Sequence, residues 1–504
     1  MKFLIISLLF LLPTTAMAQS SAVKQIMKMA KEDNRTMQHL DILCNRFGGR
    51  MAGSPACEIA EKWAKKCFEE WGCEVSLEKI GDMNVGFYRG GWWGKMTGEE
   101  NMVLHFATPS FTSGTKGPQS GHVVLDPLSQ IEFDRNKHTY KGAWVLVENL
   151  SLKGDAINYN EESMKQRAEI IKSNNKIAEG QGRYLDRSKF NKEVPALFYK
   201  ELVEAGILGF VRPATVPLNA RYDRVVVREN YTFEQLPTVP DILLNEEQFA
   251  RVYKLAEERR DVRLEFDIRN YFRPGPIPYH NVVASIKGSK YPNEYVILGA
   301  HLDAFDIVSG SVDCGNGVAA VMEAARMLAV SGAKPERTIL FILFGAEEFG
   351  LRGSKAWVEQ NKDKLDGISM MFNRDSGPLP YVGFKAPKSL VKEYDKIAEP
   401  IRQLYPEYGF EVSELKPFAR PDAPRTADHF TFRWCGVPAG RMVMKDVMGY
   451  GFDYREIWHT ERDNYNKVIV EYEEQSAPVL AIIALGTANL SKKLPREEVY
   501  LPKK

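Results

Sequence analysis

Three apolar runs in this chain of 504 residues end in side chains that bind cations or move protons. Tyr295-Val296-Ile297-Leu298-Gly299-Ala300 runs into His301-Leu302-Asp303. Residues 339–344 run into Gly345-Ala346-Glu347-Glu348, and residues 368–372 run into Asn373-Arg374-Asp375. One such ending carries little information; three point to a shared site. Imidazole and carboxylate without thiolate suit a divalent ion of the zinc type, with imidazole favouring zinc over magnesium. Asp303 follows His301 by two residues and is placed to orient its ring, as carboxylates behind metal-bound histidines do. Asp463 stands in a similar relation to His459. Glu347 and Glu348 repel each other at the end of an apolar strand, and burial adds to the cost. A cation resolves this: one Glu coordinates, and the other stays free to carry a proton. Residues 310–317, Gly-Ser-Val-Asp-Cys-Gly-Asn-Gly, precede a helical pattern without the Gly-Lys-Ser/Thr of a Walker-type phosphate loop. They read as a tight turn that presents Asp313 to a metal.

The elements that position these residues read as α/β. Residues 282–286, 295–298, 338–344 and 368–372 are apolar strand candidates, and residues 317–328 form a helix with one apolar face. Continuous apolar runs suit strands buried on both faces, as in a mainly parallel sheet wrapped by helices. Ligands on such sheets sit at the carboxyl ends of the strands, where the polar residues fall. Residues 22–80 are largely helical, with Gly72 ending the run. Ser54 is an N-cap candidate, with Pro55 at the first helical position. Residues 109–274 read as an inserted, smaller β-rich domain with a long polar connection over 172–192. Arg273-Pro274-Gly275-Pro276 marks its exit. The remaining 19–108 and 275–504 form the main, discontinuous domain.

Composition bounds the partners. The formal net charge is +1 with 26% charged residues and no long single-sign run, which offers no case for nucleic acid or an anionic membrane surface. Lys2, an apolar run over 3–12, Pro13 and then Ala16-Met17-Ala18 have the layout of an export signal cut after Ala18, leaving no membrane anchor. The expected location is periplasmic or secreted. The run is about half the ~20 residues a spanning helix needs, and residues 477–485 are also too short. Six cysteines lie neither at zinc-finger spacing nor at disulfide-scaffold density; four cluster between 44 and 73, where one bridge or free buried thiols are open alternatives.

With these residues in place, the chain resembles the M28 metallopeptidases, and among them the carboxypeptidase Q branch. The resemblance rests on His301-Leu302-Asp303, Asp313-Cys314-Gly315-Asn316-Gly317, Glu347-Glu348-Phe349-Gly350, Asp375-Ser376-Gly377, His459-Thr460 and Asp463, with Gly48-Gly49-Arg50 and Gly53-Ser54 near the start. It implies two zinc ions per chain: His301, Asp313 and Asp375 on one, Asp313, Glu348 and His459 on the other, with Asp313 bridging. It implies Glu347 as general base and acid, short peptides as substrates, a protease-associated domain in the insert and, by analogy, a homodimer; Asp303, behind the His301 ring, is counted with Glu347 among the catalytic residues. The residue after the bridging Asp is usually a second Asp across a cis bond; here it is Cys314. Arg374, Arg420 and Arg425 lie in segments that approach the site and are candidates to hold a substrate carboxylate; Asp428-His429 reads as structural or supporting. Two other readings compete. One is a glutaminyl cyclase-like acyltransferase with one zinc. The other is a non-catalytic binding protein, which the complete ligand set argues against.

Overall fold

A computed structural model of the chain describes residues 12–148, 161–180, 196–228, 230–375 and 377–502. Residues 1–11 of the export signal, 181–192 of the polar connection and Ser376 lie outside the described residues. The chain divides into two compact units. One comprises Met1–Gly81, Pro278–Trp458 and Asp463–Lys504; the other comprises Asp82–Ile277 and His459–Arg462.

In the first unit, strand Tyr291–His301 lies between Ile368–Asn373 and Arg337–Phe344, parallel to both. The strand ending at Ile286 runs antiparallel beside Arg337–Phe344, pairing Ile339 with Ile286 and Leu343 with Val282. Every residue of Arg337–Phe344 is buried. Alternation divides the sheet's apolar side chains between two layers. Val296, Leu298, Ile339, Phe341, Leu343, Met370 and Phe372 face the helices Asn316–Val330 and Val470–Ala488. Ile297, Leu340, Ile342, Phe344 and Met371 face Trp357 and Phe432, on helices Arg352–Gln360 and Asp428–Trp434. Each large side chain so buried contributes roughly 1.5–3 kcal/mol. Residues 477–485 are the core of helix Val470–Ala488, which is buried nearly all round. Among the described residues, no helix is long and apolar enough to cross a membrane. Helix Pro55–Glu70 starts as its sequence requires: Ser54 accepts a hydrogen bond from the Cys57 amide, and Pro55 takes the first turn. All six cysteines are free thiols.

The second unit is built on parallel strands. Strands Gln119–Leu125, Ala143–Leu146, Gly209–Ala214 and Asp241–Asn245 run parallel in that order. Helices Gln130–Asn136, Glu161–Gly180 and Tyr199–Glu204 intervene in the chain, and Glu246–Glu257 follows the last of the four strands. The unit is thus strand–helix alternating rather than simply β-rich. Residues 172–180, read as polar connection, close the helix Glu161–Gly180. The unit begins at residue 82 rather than 109, because strand segments before 109 pair inside it: Lys95 with Val103, and Phe106 with Leu244. Its end at Ile277 falls just past the Pro-Gly-Pro segment.

Candidate metal centre

Register brings the three strand ends level. Phe344 is paired with His301, and Asn373 with Gly299. The Arg374 amide then continues the ladder to the Gly299 carbonyl at 2.8 Å. His301, Glu347-Glu348 and Asp375 therefore leave the sheet at one edge.

The His301 ring is buried, and its tautomer follows from its surroundings. Nδ1 lies 2.9 Å from the Asp303 carbonyl oxygen, to which Nδ1–H donates. Nε2 faces Asp313 Oδ1 at 3.1 Å and Asp375 Oδ1 at 3.7 Å. A lone pair turned towards two carboxylates demands a positive charge between them. Burial alone would lower the His301 pKa; Cys314, Asp303, Asp313 and Asp375 reverse this and hold it well above the ordinary range. His301, Cys314 and Asp375 each offer one ligand atom within 4.8 Å of the others, as do His301, Glu347 and Glu348. An imidazole ringed by carboxylates fits a zinc-type ion by donor chemistry.

Asp303 serves more than the His301 ring, from whose Nδ1 its Oδ1 stands 3.7 Å. Its backbone carbonyl orients the imidazole, whereas its carboxylate accepts the amides of Glu347 at 3.0 Å and Glu348 at 3.1 Å. It thereby fixes the turn that carries both glutamates, in which Ala346 has φ of 56°. Burial pushes the Glu347 carboxyl well above the usual range. His301 opposes this, and Glu348, Asp375 and Asp428 reinforce it. A carboxylate so raised suits proton transfer near neutrality.

Asp463 also braces a ligand loop. Its carboxylate accepts the amides of Val312 at 2.6 Å and Asp313 at 3.1 Å, and the Ser311 hydroxyl at 3.2 Å. The Asp313–Cys314 bond is cis. Burial raises the Cys314 thiol to about 12, and its S–H donates to the Arg374 carbonyl at 3.1 Å. A Cβ at Gly317 would stand 2.0 Å from that same oxygen, so only glycine fits there.

Arg50 occurs in the Gly-rich turn, but sequence gave it no task. Its buried guanidinium donates to the carbonyls of Leu302, Leu43, Gly48, Ser309 and Gly310, tying the His301 strand end to the loop before Asp313. The preceding Gly49 is obligatory, because a Cβ would approach Asp306 Cα to 2.2 Å. Tyr454 was also missed. Its ring packs at Gly377, and burial, with Asp313 and Asp375 nearby, raises its phenol. Asp428 is fully buried and raised to about 7, by burial first and then by Asp375 and Asp303.

The arginines separate. Arg374 is completely buried and turned onto Glu473 and Tyr381. Arg420 donates to the Trp434 carbonyl at 2.8 Å, and Arg425 is exposed. His459 lies in the short segment His459–Arg462 of the second unit, where its carbonyl accepts the Ala220 amide at 2.8 Å.

Parallel strands that deliver an imidazole and carboxylates to one edge, with a glutamate of raised pKa beside them, define a metal-dependent hydrolase of α/β fold. The sequence profile of Peptidase family M28 matches residues 281–480. Mouse carboxypeptidase Q is 25% identical over 497 residues, covering 95% of this chain and 90% of that one. The alignment to human carboxypeptidase Q, at 23%, covers 52% of each chain, and that to the rat protein, at 29%, covers 43% of each. Two solved structures share the fold. A peptidase M28 precursor from Shewanella amazonensis aligns with a TM-score of 0.59 at 20% identity, over 97% of this chain and 100% of that one. A zinc aminopeptidase from Bacillus subtilis gives 0.52 at 13%, over 93% and 97%. Residues 281–480 carry the peptidase family M28 profile, and the chain is related to carboxypeptidase Q.

Proposed function

We infer that the chain is a two-zinc exopeptidase of the aminopeptidase or dipeptidase type, acting on short peptides in the periplasm or outside the cell. The observation that carries this reading is His301 Nε2 facing Asp313 and Asp375 at the edge where Glu347 and Glu348 emerge. His301, Asp313 and Asp375 would hold one ion, and Asp313, Glu348 and His459 the other, with Asp313 shared. Bound there, the ions would supply Lewis acidity. Glu347 accepts a proton from the attacking water as its oxygen bonds to the scissile carbonyl carbon. It returns that proton to the leaving nitrogen as the C–N bond breaks. Asp303 holds Glu347 in place through the turn amides. The second unit serves as a protease-associated module, and export removes residues 1–18.

Two measurements test the reading. Elemental analysis of the mature protein is expected to give two zinc ions per chain; one ion would favour the cyclase reading. Dipeptides offered free, N-acetylated and C-amidated assign the trimmed end. The inferred type requires that N-acetylation abolish cleavage. Cleavage that survives acetylation but is lost on amidation would reassign the enzyme as a carboxypeptidase. Unchanged KM in Arg425→Ala would remove Arg425 from substrate binding.

A further inference from the structure

The guanidinium of Arg374 and the carboxylate of Glu473 are both 0% exposed, and Nη2 stands 3.5 Å from Oε2. Nη1 donates to the Leu379 carbonyl at 3.0 Å, and the guanidinium stacks over Tyr381 at 4.9 Å. Around the pair, polar atoms collect. Arg374 Nε and Nη2, both Glu473 oxygens, both side-chain polar atoms of Asn316 and the Tyr381 hydroxyl make no directed hydrogen bond among the described residues. Asn316 and Tyr381 are 1% exposed.

As a stabilising device this is poor. A buried ion pair with few directed hydrogen bonds recovers little of its desolvation cost, and apolar side chains of similar size often do as well or better. Its location is informative. Arg374 precedes Asp375, and Asn316 follows the Asp313-Cys314-Gly315 turn. The two segments already touch back to back, through Cys314 Sγ–H on the Arg374 carbonyl and the bare Gly317 beneath it. Glu473 comes from helix Val470–Ala488, where Gln475 also exchanges hydrogen bonds with the Tyr381 main chain at 3.0 and 2.7 Å. The Glu473 carboxyl thus faces the side chains of Arg374 and Asn316, one from each ligand-bearing segment.

We propose that Arg374 and Glu473 are positioning residues for the metal centre: the buried pair, with Asn316, fixes the Asp375 strand end against the Asp313 loop. The proposal rests on the reading of those aspartates as zinc ligands. The test is the double substitution Arg374→Met with Glu473→Leu in the full chain. Zinc affinity of the metal-stripped protein is measured by competition with a chromophoric chelator, and thermal stability is measured on the same metal-stripped protein. Positioning predicts a melting temperature equal to or above that of the parent, with zinc affinity reduced at least about 10-fold, the scale on which outer-shell partners act. Affinity within about threefold of the parent, or a loss of affinity only in proportion to lost stability, overturns the proposal. Should the double variant not fold, Glu473→Gln keeps the shape and removes the charge. It is expected to weaken zinc, and unchanged affinity again overturns the role. Asp375→Asn separates the two levels. If it leaves zinc binding intact, the ligand assignment fails; if it abolishes zinc binding while the double variant retains it, only the positioning role fails.

Discussion

At the scale of single residues, the site is a contest between burial and charge. Glu347 carries a raised carboxyl because burial and neighbouring acids disfavour its ionised form. Glu347→Gln is expected to keep zinc and lose at least ~100-fold in kcat/KM, the usual contribution of a general base; near-parental activity would refute the assignment. His429 shows the opposite case. Burial, with Arg433 and Arg441 beside it, lowers its pKa from 6.5 to about 3, and the Asn373 amide lies 3.5 Å from its Nδ1. The folded chain therefore holds it neutral. As pH falls below 6.5, the unfolded chain takes up a proton that the folded chain refuses until about pH 3, so stability falls across that window. Urea titrations between pH 7 and pH 4 should show the parent losing stability relative to His429→Gln as pH falls, a difference that cancels the opposite contribution of the raised acids Asp428 and Asp463. Sequence made His301, Glu347 and Asp375 readable because each follows an uninterrupted apolar run. It could not assign Asp303, whose backbone and carboxylate do separate jobs, nor Asp463, whose targets are amides at 312 and 313. Neither position nor residue type announces a hydrogen bond to main chain far away in sequence.

At the scale of elements, close approach decides what the segments tolerate. Gly317 opens the helix Asn316–Val330 against the end of the Ile368–Asn373 strand, with room for hydrogen alone. Gly317→Ala must push Arg374, and with it Asp375, out of register. A loss of zinc affinity exceeding the loss of thermal stability is the expected result; a variant that binds zinc normally would mean that the backbone relaxes there freely. The strands of the first unit were legible because residues buried on both faces cannot alternate with polar ones. The helix Glu161–Gly180 was not, since its run of Lys, Glu, Asn and Ser looks like connection when read without its neighbours. The parallel strands of the second unit were obscured for the same reason: they are short, four residues at Ala143–Leu146, and the crossovers between them are polar.

At the scale of the whole molecule, metal and fold are linked by mass action. A ligand bound only by the folded state at 100 times its Kd stabilises by about 2.7 kcal/mol. Chelation by EDTA should lower the melting temperature, and zinc should restore it where magnesium does not, as imidazole in the ligand set requires. Restoration by magnesium would point to a site built from oxygen donors alone. The brace supplied by Asp463 has a further consequence, in the order of synthesis. The amide of Asp313 depends on a carboxylate 150 residues downstream. A ribosome that has just made the loop has not yet made the group that shapes it. Truncation before Asp463 is therefore expected to leave the Asp313 loop without its brace.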